Sequence, residues 1–562
     1  MIARLLLFSL SCRGKGVRSL FCAAPFGPFR EKAPAPFSAM GIVLLLAVFL
    51  VGIAERGKAD VPALIAEAAR TAQETRQNYR HVDPIKYPIG VFDSGTGGMA
   101  VLEAILAIDT FDNATRQPLP EGDGQPDLAC QSFIYLADQA NMPYGNYPNV
   151  GREGFLEQLA VKDAEFLLTD RYYPDADSDP ARDKLPVKAV VIACNTATAY
   201  GKGHIEKLVA ATGLDIPVVG VVDAGVRGAL DLFADGQSGT IGILATRATV
   251  LAEAYPRAIR AEIAHRRLER DGQRIMVVQQ GSLGLAGAID GAEELILHGI
   301  QASRPRGDYQ GPSLNHPFAA IDRGILARYA FDFSNYSVLF DGPREKPTAM
   351  QLNSVANYLR YDVVSLLESL RQSPDPQPLR AIILACTHFP YFTEAFEREL
   401  QRLANYQEDG VYIYRDYLAP QVELIDPAYF AARELYVKLA DGGKLAPAPA
   451  EERSGLRSPN GPEGASQERP PRSFLQQTRG EFYITVPNRR HPDVRLSAQG
   501  HFTYEYKYSP HRPEVGADYR AVPLRYKQLD AETADRLRGQ VPLVWELLDE
   551  FNRGNKKAAP GN

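Results

Sequence analysis

Val191-Ile192-Ala193-Cys194-Asn195-Thr196 and Ile383-Leu384-Ala385-Cys386-Thr387-His388 follow one plan: an apolar run, an alanine, a cysteine, then hydrogen-bonding residues where a loop opens. Each run reads as a strand buried on both faces, the kind from which parallel sheets are built. A second pair precedes them. Ile89-Gly90-Val91-Phe92-Asp93-Ser94 and Ile241-Gly242-Ile243-Leu244-Ala245-Thr246 also end apolar strands in small or polar residues. The order strand end, then cysteine, therefore occurs twice, which predicts two pseudo-symmetric α/β halves with parallel sheets and one cysteine from each. Open α/β sheets bind ligands at the carboxyl ends of their strands, so both thiols are expected to face one cleft between the halves.

Working outward, short β-branched runs such as Ala189 to Ala193, Ile216 to Val222, Thr240 to Leu244 and Ala381 to Ala385 alternate with amphipathic helices up to about Leu439. This divides the chain into a helical lead-in (60–85), a first half (86–222, completed by about 421–440) and an enlarged second half (223–420). Residues 441–473 are expected to be a flexible linker, because Ala446 to Arg472 holds six prolines and three glycines without periodicity. Residues 474–562 then read as a small, separate α+β extension, a β-hairpin and helix that could move relative to the halves. Its strand candidates are Phe482 to Val486 and Phe502 to Tyr508, the latter placing Phe502, Tyr504, Tyr506 and Tyr508 on one face, before a helix with Trp545. Such a unit is expected to pack on the body or on a second copy in a homodimer, with a carbohydrate- or wall-binding surface as the alternative, and to supply no acid or base.

At the amino terminus, Gly41 to Ile53 form an uncharged 13-residue apolar run preceded by Arg13, Lys15, Arg18, Arg30 and Lys32, with Gly57 and Ala59 before Asp60. That is the order of a secretory signal, so residues 1–59 are expected to direct export, with an uncleaved membrane anchor as the alternative reading. A true start at Met40 would remove the basic region and leave a cytoplasmic protein. A net charge of −6 gives no basic footprint, which argues against a nucleic-acid partner.

Two thiols facing one substrate suit inversion at a carbon, one removing a proton and the other delivering one to the opposite face. A thiol serves in both protonation states because its ordinary pKa of about 8.5 lies near neutrality. With no C-x-x-C, no H-E-x-x-H, scattered histidines and no lysine cofactor motif, neither a metal nor a cofactor is expected. Asp93-Ser94-Gly95-Thr96-Gly97-Gly98 opens a helix and could cradle an anion on its backbone amides, although Ala100 breaks the dinucleotide fingerprint. Asp93 and His388 are placed to orient or exchange protons with the two thiols.

These residues resemble the glutamate racemase family of the cofactor-independent aspartate/glutamate racemase superfamily. The matching segments run in family order: IGVFDSGTGG (Ile89 to Gly98), YLADQANMPYG (Tyr135 to Gly145), VIACNTATA (Val191 to Ala199), IPVVGVVDAG (Ile216 to Gly225), IGILATRAT (Ile241 to Thr249), ILACTHFPYF (Ile383 to Phe392) and LID (Leu424 to Asp426). The resemblance implies Cys194 and Cys386 as catalytic bases assisted by Asp93 and His388. It implies substrate contacts from Asp93, Ser94, Tyr144, Gly145, Asn195, Thr196, Thr387 and His388, with a small amino acid as the partner. His388 favours glutamate, because related aspartate racemases usually carry an acid there. The chain departs from the family at Phe389 and Asp223, in an insertion near Asn113 to Ala129, in the enlarged stretch between Thr249 and Ala381, and after Ala446. Export is also unusual, since D-glutamate for peptidoglycan is consumed in the cytoplasm. Another superfamily racemase, isomerase or decarboxylase, and a non-catalytic exported amino-acid-binding module, are the alternative readings.

Overall fold

Helix α1 (Val61–Asn78) buries Val61, Leu64, Ile65, Ala68, Ala69, Ala72 and Thr75, a stripe at helical spacing that lies against two helices of the first half. It opens the described part of the computed structural model, which comprises residues 61–233, 236–268, 272–446 and 478–554. The signal-like segment and nearly all of the proline-rich stretch lie outside those residues. Among the described residues no helix is long and apolar enough to cross a membrane.

The first half runs β1 (Ile89–Asp93), α2 (Met99–Ala107), β2 (Ser132–Ala137), α3 (Glu153–Leu168), β3 (Ala189–Ile192), α4 (Asn195–Thr212) and β4 (Val218–Gly220). Helix α5 (Val221–Asp231) follows, and its two faces serve different cores. Val221 and Ala224 join the first half, while Val222, Val226, Ala229 and Leu230 pack with Ile241 and Ile243 of the second. The second half runs β5 (Gly239–Thr246), α6 (Ala254–Arg266), β6 (Ile275–Ser282), the antiparallel pair β7 (Val338–Asp341) and β8 (Ala349–Leu352), α7 (Val355–Arg371) and β9 (Leu379–Ala385). After α8 (Thr393–Ala404) come the short pair β10 (Gln407–Glu408) and β11 (Val411–Tyr412), then β12 (Leu418–Ile425) and α9 (Pro427–Asp441). The carboxyl-terminal part supplies β13 (Arg479–Pro487), β14 (Tyr519–Pro523), α10 (Ala531–Gln540) and α11 (Pro542–Gly554).

Two sheets result. One has the order β14-β13-β2-β1-β3-β4, the other β12-β9-β5-β6. All neighbours are parallel except β13 with β14. The two strands that end at Asp93 and just before Cys194 are adjacent and in register, Phe92 opposite Ile192. Their counterparts in the second sheet are adjacent too, with Ala245 opposite Ala385. The stretch 421–440 divides between the halves: β12 extends the second sheet, whereas α9 buries Ala431, Ala432, Leu435 and Leu439 in the first core.

The carboxyl-terminal part is not a separate unit. Strand β13 lies parallel to β2 from Arg479 opposite Ser132 to Ile484 opposite Ala137, so it occupies an edge that would otherwise leave a row of unpaired backbone groups. Phe482, Ile484, Val522, Leu524, Val544 and Leu547 belong to the same core as β1 and α2. Strands β13 and β14 are antiparallel but joined by a long connection rather than a tight hairpin. Residues Phe502 to Tyr508 are not a strand. Thr503 Oγ1 accepts from the Tyr506 amide and caps a single helical turn, Tyr504–Lys507, that buries Phe502 and Tyr506 at i, i+4 spacing and leaves Tyr504 exposed. Period-two aromatics proved ambiguous over so short a run.

Buried polar contacts tie this part to the first half. Thr485 Oγ1 donates to Asp138 Oδ1 at 2.6 Å, and Arg512 pairs with Asp518 at 2.7 Å with neither side chain exposed. Arg512 also donates to Tyr147 Oη (2.9 Å) and Asn141 Oδ1 (2.5 Å). Tyr144 Oη lies 2.5 Å from Asp138 Oδ2 and 2.6 Å from Asp163 Oδ2. One hydroxyl has one proton to give, so one of those carboxyls must itself be protonated. Asp163 meets that need, because burial and then the nearby Asp138 push its pKa well up.

Candidate active site

Cys194 is the N-cap of α4. Its Sγ accepts from the Ala197 amide at 3.4 Å and its thiol lies 3.7 Å from Ser94 Oγ as a donor. Asp93 closes the neighbouring strand, and its Oδ2 accepts from the Gly98 amide at 2.8 Å. The amides of Met99, Ala100 and Val101 are taken by the carbonyls of Thr96, Gly97 and Gly98. The Gly98 amide of the glycine-rich turn thus holds the carboxylate of its own Asp93. Burial raises the Asp93 carboxyl, opposed by His388, the Gly98 amide and Cys194. Burial and then Asp93 raise the Cys194 thiol far up, so Cys194 rests as a protonated thiol.

Cys386 follows the last residue of β9 and stands beside a row of charges. Its Sγ lies 3.5 Å from His388 Nδ1, His388 Nε2 lies 2.9 Å from Asp290 Oδ2, and Asp290 Oδ1 lies 2.9 Å from Arg536 Nη2. Burial alone would depress the imidazolium, but the Asp290 carboxylate and Cys386 outweigh it and hold His388 well above its ordinary value. Asp290 moves the other way, its burial overcome by His388 and Arg536. The two halves meet closely here: a Cβ on Gly97 would stand 2.6 Å from His388 Cε1 and 2.9 Å from Thr387 Oγ1. Only glycine allows that approach.

The remaining residues singled out in the sequence fall into three settings. Asn195 shares a narrow pocket with Cys386, Thr387 and Asp426, which brings strand ends of both sheets to one cleft. Its Oδ1 accepts from Tyr255 Oη at 2.6 Å. Thr196 Oγ1 lies 3.1 Å from the hydroxyls of Thr246 and Thr249, again joining the halves, and a Cβ on Gly145 would stand 3.7 Å from Thr246. The Tyr144 hydroxyl, by contrast, is committed to Asp138 and Asp163. Sequence reasoning did not single out Asp290, Tyr255 or Arg536. Asp290 directly follows the short helix Leu285–Ile289 in the enlarged second half, and no motif in the sequence marks it. Both Cys194 and Cys386 are free thiols. Among the described residues no group of three or more His, Cys, Asp or Glu is arranged to hold a metal ion.

Each half thus carries one free cysteine just past a strand end, and three comparisons with known proteins find similar chains. The Asp/Glu/Hydantoin racemase family model matches residues 176–309. A glutamate racemase of Limosilactobacillus fermentum is 35% identical over 172 residues, which cover 31% of this chain and 47% of that one. A glutamate racemase of Cupriavidus pinatubonensis is 26% identical over 354 residues, covering 63% of this chain and 79% of its own. The chain thus spans about half the length of the first of these relatives and most of the second. A solved glutamate racemase isoform from Bacillus anthracis superposes with a TM-score of 0.36 at 19% identity, over 64% of this chain and 84% of that one. Over these stretches the chain is similar to glutamate racemases.

Proposed function

We propose that the protein is a cofactor-independent amino-acid racemase that interconverts L- and D-glutamate by proton transfer at Cα between two thiols. What supports this reading is the contact of Asp93 with Cys194 and of His388 with Cys386, each cysteine following a strand of its own sheet. The pairs are electrostatically unlike. Cys194, raised by burial and Asp93, is the thiol that delivers a proton. His388, kept cationic by Asp290, presents Nδ1 to Cys386 Sγ, the sulfur that takes a proton from the opposite face. After one turnover the roles are exchanged, and the reverse direction starts from that state. Asn195, Thr196 and Thr387, at helix or loop starts beside the cysteines, are the groups that would hold the substrate's carboxylate and amine.

The test is a pair of variants, Cys194→Ser and Cys386→Ser. Each should abolish racemisation while one-sided proton exchange survives with a single enantiomer, a different one for each variant. Full racemisation by either variant would remove the two-thiol scheme. Export is proposed separately, from the basic and then apolar order before Asp60. Recovery of the protein outside the cytoplasm with Asp60 as its first residue is the expected outcome, and retention of the whole segment on a cytoplasmic protein would contradict it.

A further inference from the structure

We propose that Arg536, delivered by α10 of the carboxyl-terminal part, is a positioning residue that fixes Asp290 so that His388 faces Cys386 in one orientation. The kinetic side of this proposal rests on the racemase reading above. Arg536 grips both the carboxylate and the preceding backbone: Nη2 lies 2.9 Å from Asp290 Oδ1 and Nη1 donates to the Ile289 carbonyl at 2.8 Å. A planar guanidinium makes such a two-point grip, and an ammonium does not. The grip leaves Asp290 Oδ2 for His388 Nε2, 2.9 Å away, and His388 Nδ1 for the thiol. Both side chains of the Arg536 and Asp290 pair are 13% exposed, so water does little to replace a lost partner.

The anchoring of Arg536 gives the contact its consequence. Helix α11 begins with the amides of Leu543 and Val544 on the Glu103 carboxylate of α2, at 3.1 and 2.9 Å, and buries Val544 and Leu547 in the first core. Arg536 therefore reaches from a segment fastened to the first half to an acid of the second. The tail bridges the cleft and sets the orientation of the imidazole on its far side. The groups facing the Asp290 and His388 pair are Arg536, Cys386, Asp93, Tyr391 and, beyond Tyr391, Glu103. Of these Arg536 alone is cationic. Removing its charge therefore raises the proton affinity of the pair, whichever member binds the proton.

The experiment uses the full chain and its Arg536→Gln and Arg536→Lys variants. For Arg536→Gln, kcat for glutamate should fall about tenfold with KM nearly unchanged, and the acid limb of the pH profile should move up by about half a pH unit or more. Arg536→Lys should keep the inflection of the parent and recover part of kcat. A second readout needs no turnover: in protein with isotope-labelled histidine, the His388 imidazole should titrate at higher pH in Arg536→Gln than in the parent. If the parent turns over neither enantiomer of glutamate, the racemase reading fails and this titration alone decides the role of Arg536. An unmoved titration and pH inflection in folded Arg536→Gln would overturn the proposal, even if thermal stability dropped. Should Arg536→Gln not fold, Arg536→Lys carries the test: a severalfold fall in kcat at unchanged inflection supports the two-point grip, and full kcat overturns it.

Discussion

Replacing Arg512 with alanine tests whether the carboxyl-terminal part is integral to the first half. The Arg512 and Asp518 side chains are wholly buried 2.7 Å apart, and the same guanidinium serves Tyr147 and Asn141 and lies 4.7 Å from the centre of the Phe502 ring. Removing one member of a buried pair leaves the other charge uncompensated, which costs about 3–5 kcal/mol. Against the roughly 5–15 kcal/mol that stabilises a typical domain, that is a large share. Urea unfolding followed by far-ultraviolet circular dichroism and by the fluorescence of Trp545, the single tryptophan, reports on the body and the tail at once. Arg512→Ala should lower stability by about that amount with the two signals still coincident. The double variant Arg512→Met with Asp518→Leu should lose less than the single one, because no buried charge is stranded. A loss below about 1 kcal/mol, the range of ordinary surface changes, would refute the reasoning. So would a Trp545 transition that separates from an unchanged remainder.

Three further outcomes follow from particular contacts. Gly97→Ala places a Cβ 2.6 Å from His388 Cε1, so His388 must retreat by roughly 1 Å and activity should fall about a hundredfold; unchanged kinetics would contradict the close approach. Truncation after Leu445 removes β13 and exposes the β2 edge, so the product should be insoluble or aggregated, and a soluble monomer with native circular dichroism would contradict the shared sheet. Asp362 is buried and its carboxyl is pushed up to about 7, with Ser282 and Gln280 opposing burial. Between pH of about 4 and 7 the unfolded chain releases this proton while the native one keeps it, so stability falls as pH rises, by about 4 kcal/mol at most. Asp362→Asn should flatten that decline in the melting temperature, and an unchanged pH dependence would count against the assignment.

The α/β frame was legible because buried parallel strands write continuous apolar runs, and each run here stops at or just before a polar or thiol residue: Asp93, Cys194, Thr246 or Cys386. The repeat announced two halves, whereas the adjacency of β1 with β3 and of β5 with β9 is a property of the fold. The tail misled for a local reason. A proline-rich stretch looks like a domain boundary, yet nothing in Phe482 to Val486 states that its partner is β2, some 350 residues earlier in the chain. The Tyr504 turn was hidden because four aromatics at alternate positions satisfy a strand pattern, while the deciding feature was the Thr503 cap. Asp290 and Arg536 were out of reach for a related cause. They are 246 residues apart, and a charged pair formed by tertiary packing leaves no periodicity to read. Tyr144 carried a motif, but its hydroxyl is held by two buried carboxyl groups, Asp138 and Asp163, that sequence spacing does not join.

The proposed reaction moves a proton on and off Cα of glutamate between the two thiols. The most direct measurement is incubation of the purified protein with L-glutamate and, separately, D-glutamate in deuterium oxide, followed by proton NMR of Cα and chiral analysis. A two-thiol racemase should place deuterium at Cα and bring both samples to a racemic mixture, with chelator present and no cofactor added. Folded protein that leaves the Cα proton of both enantiomers unexchanged would contradict it.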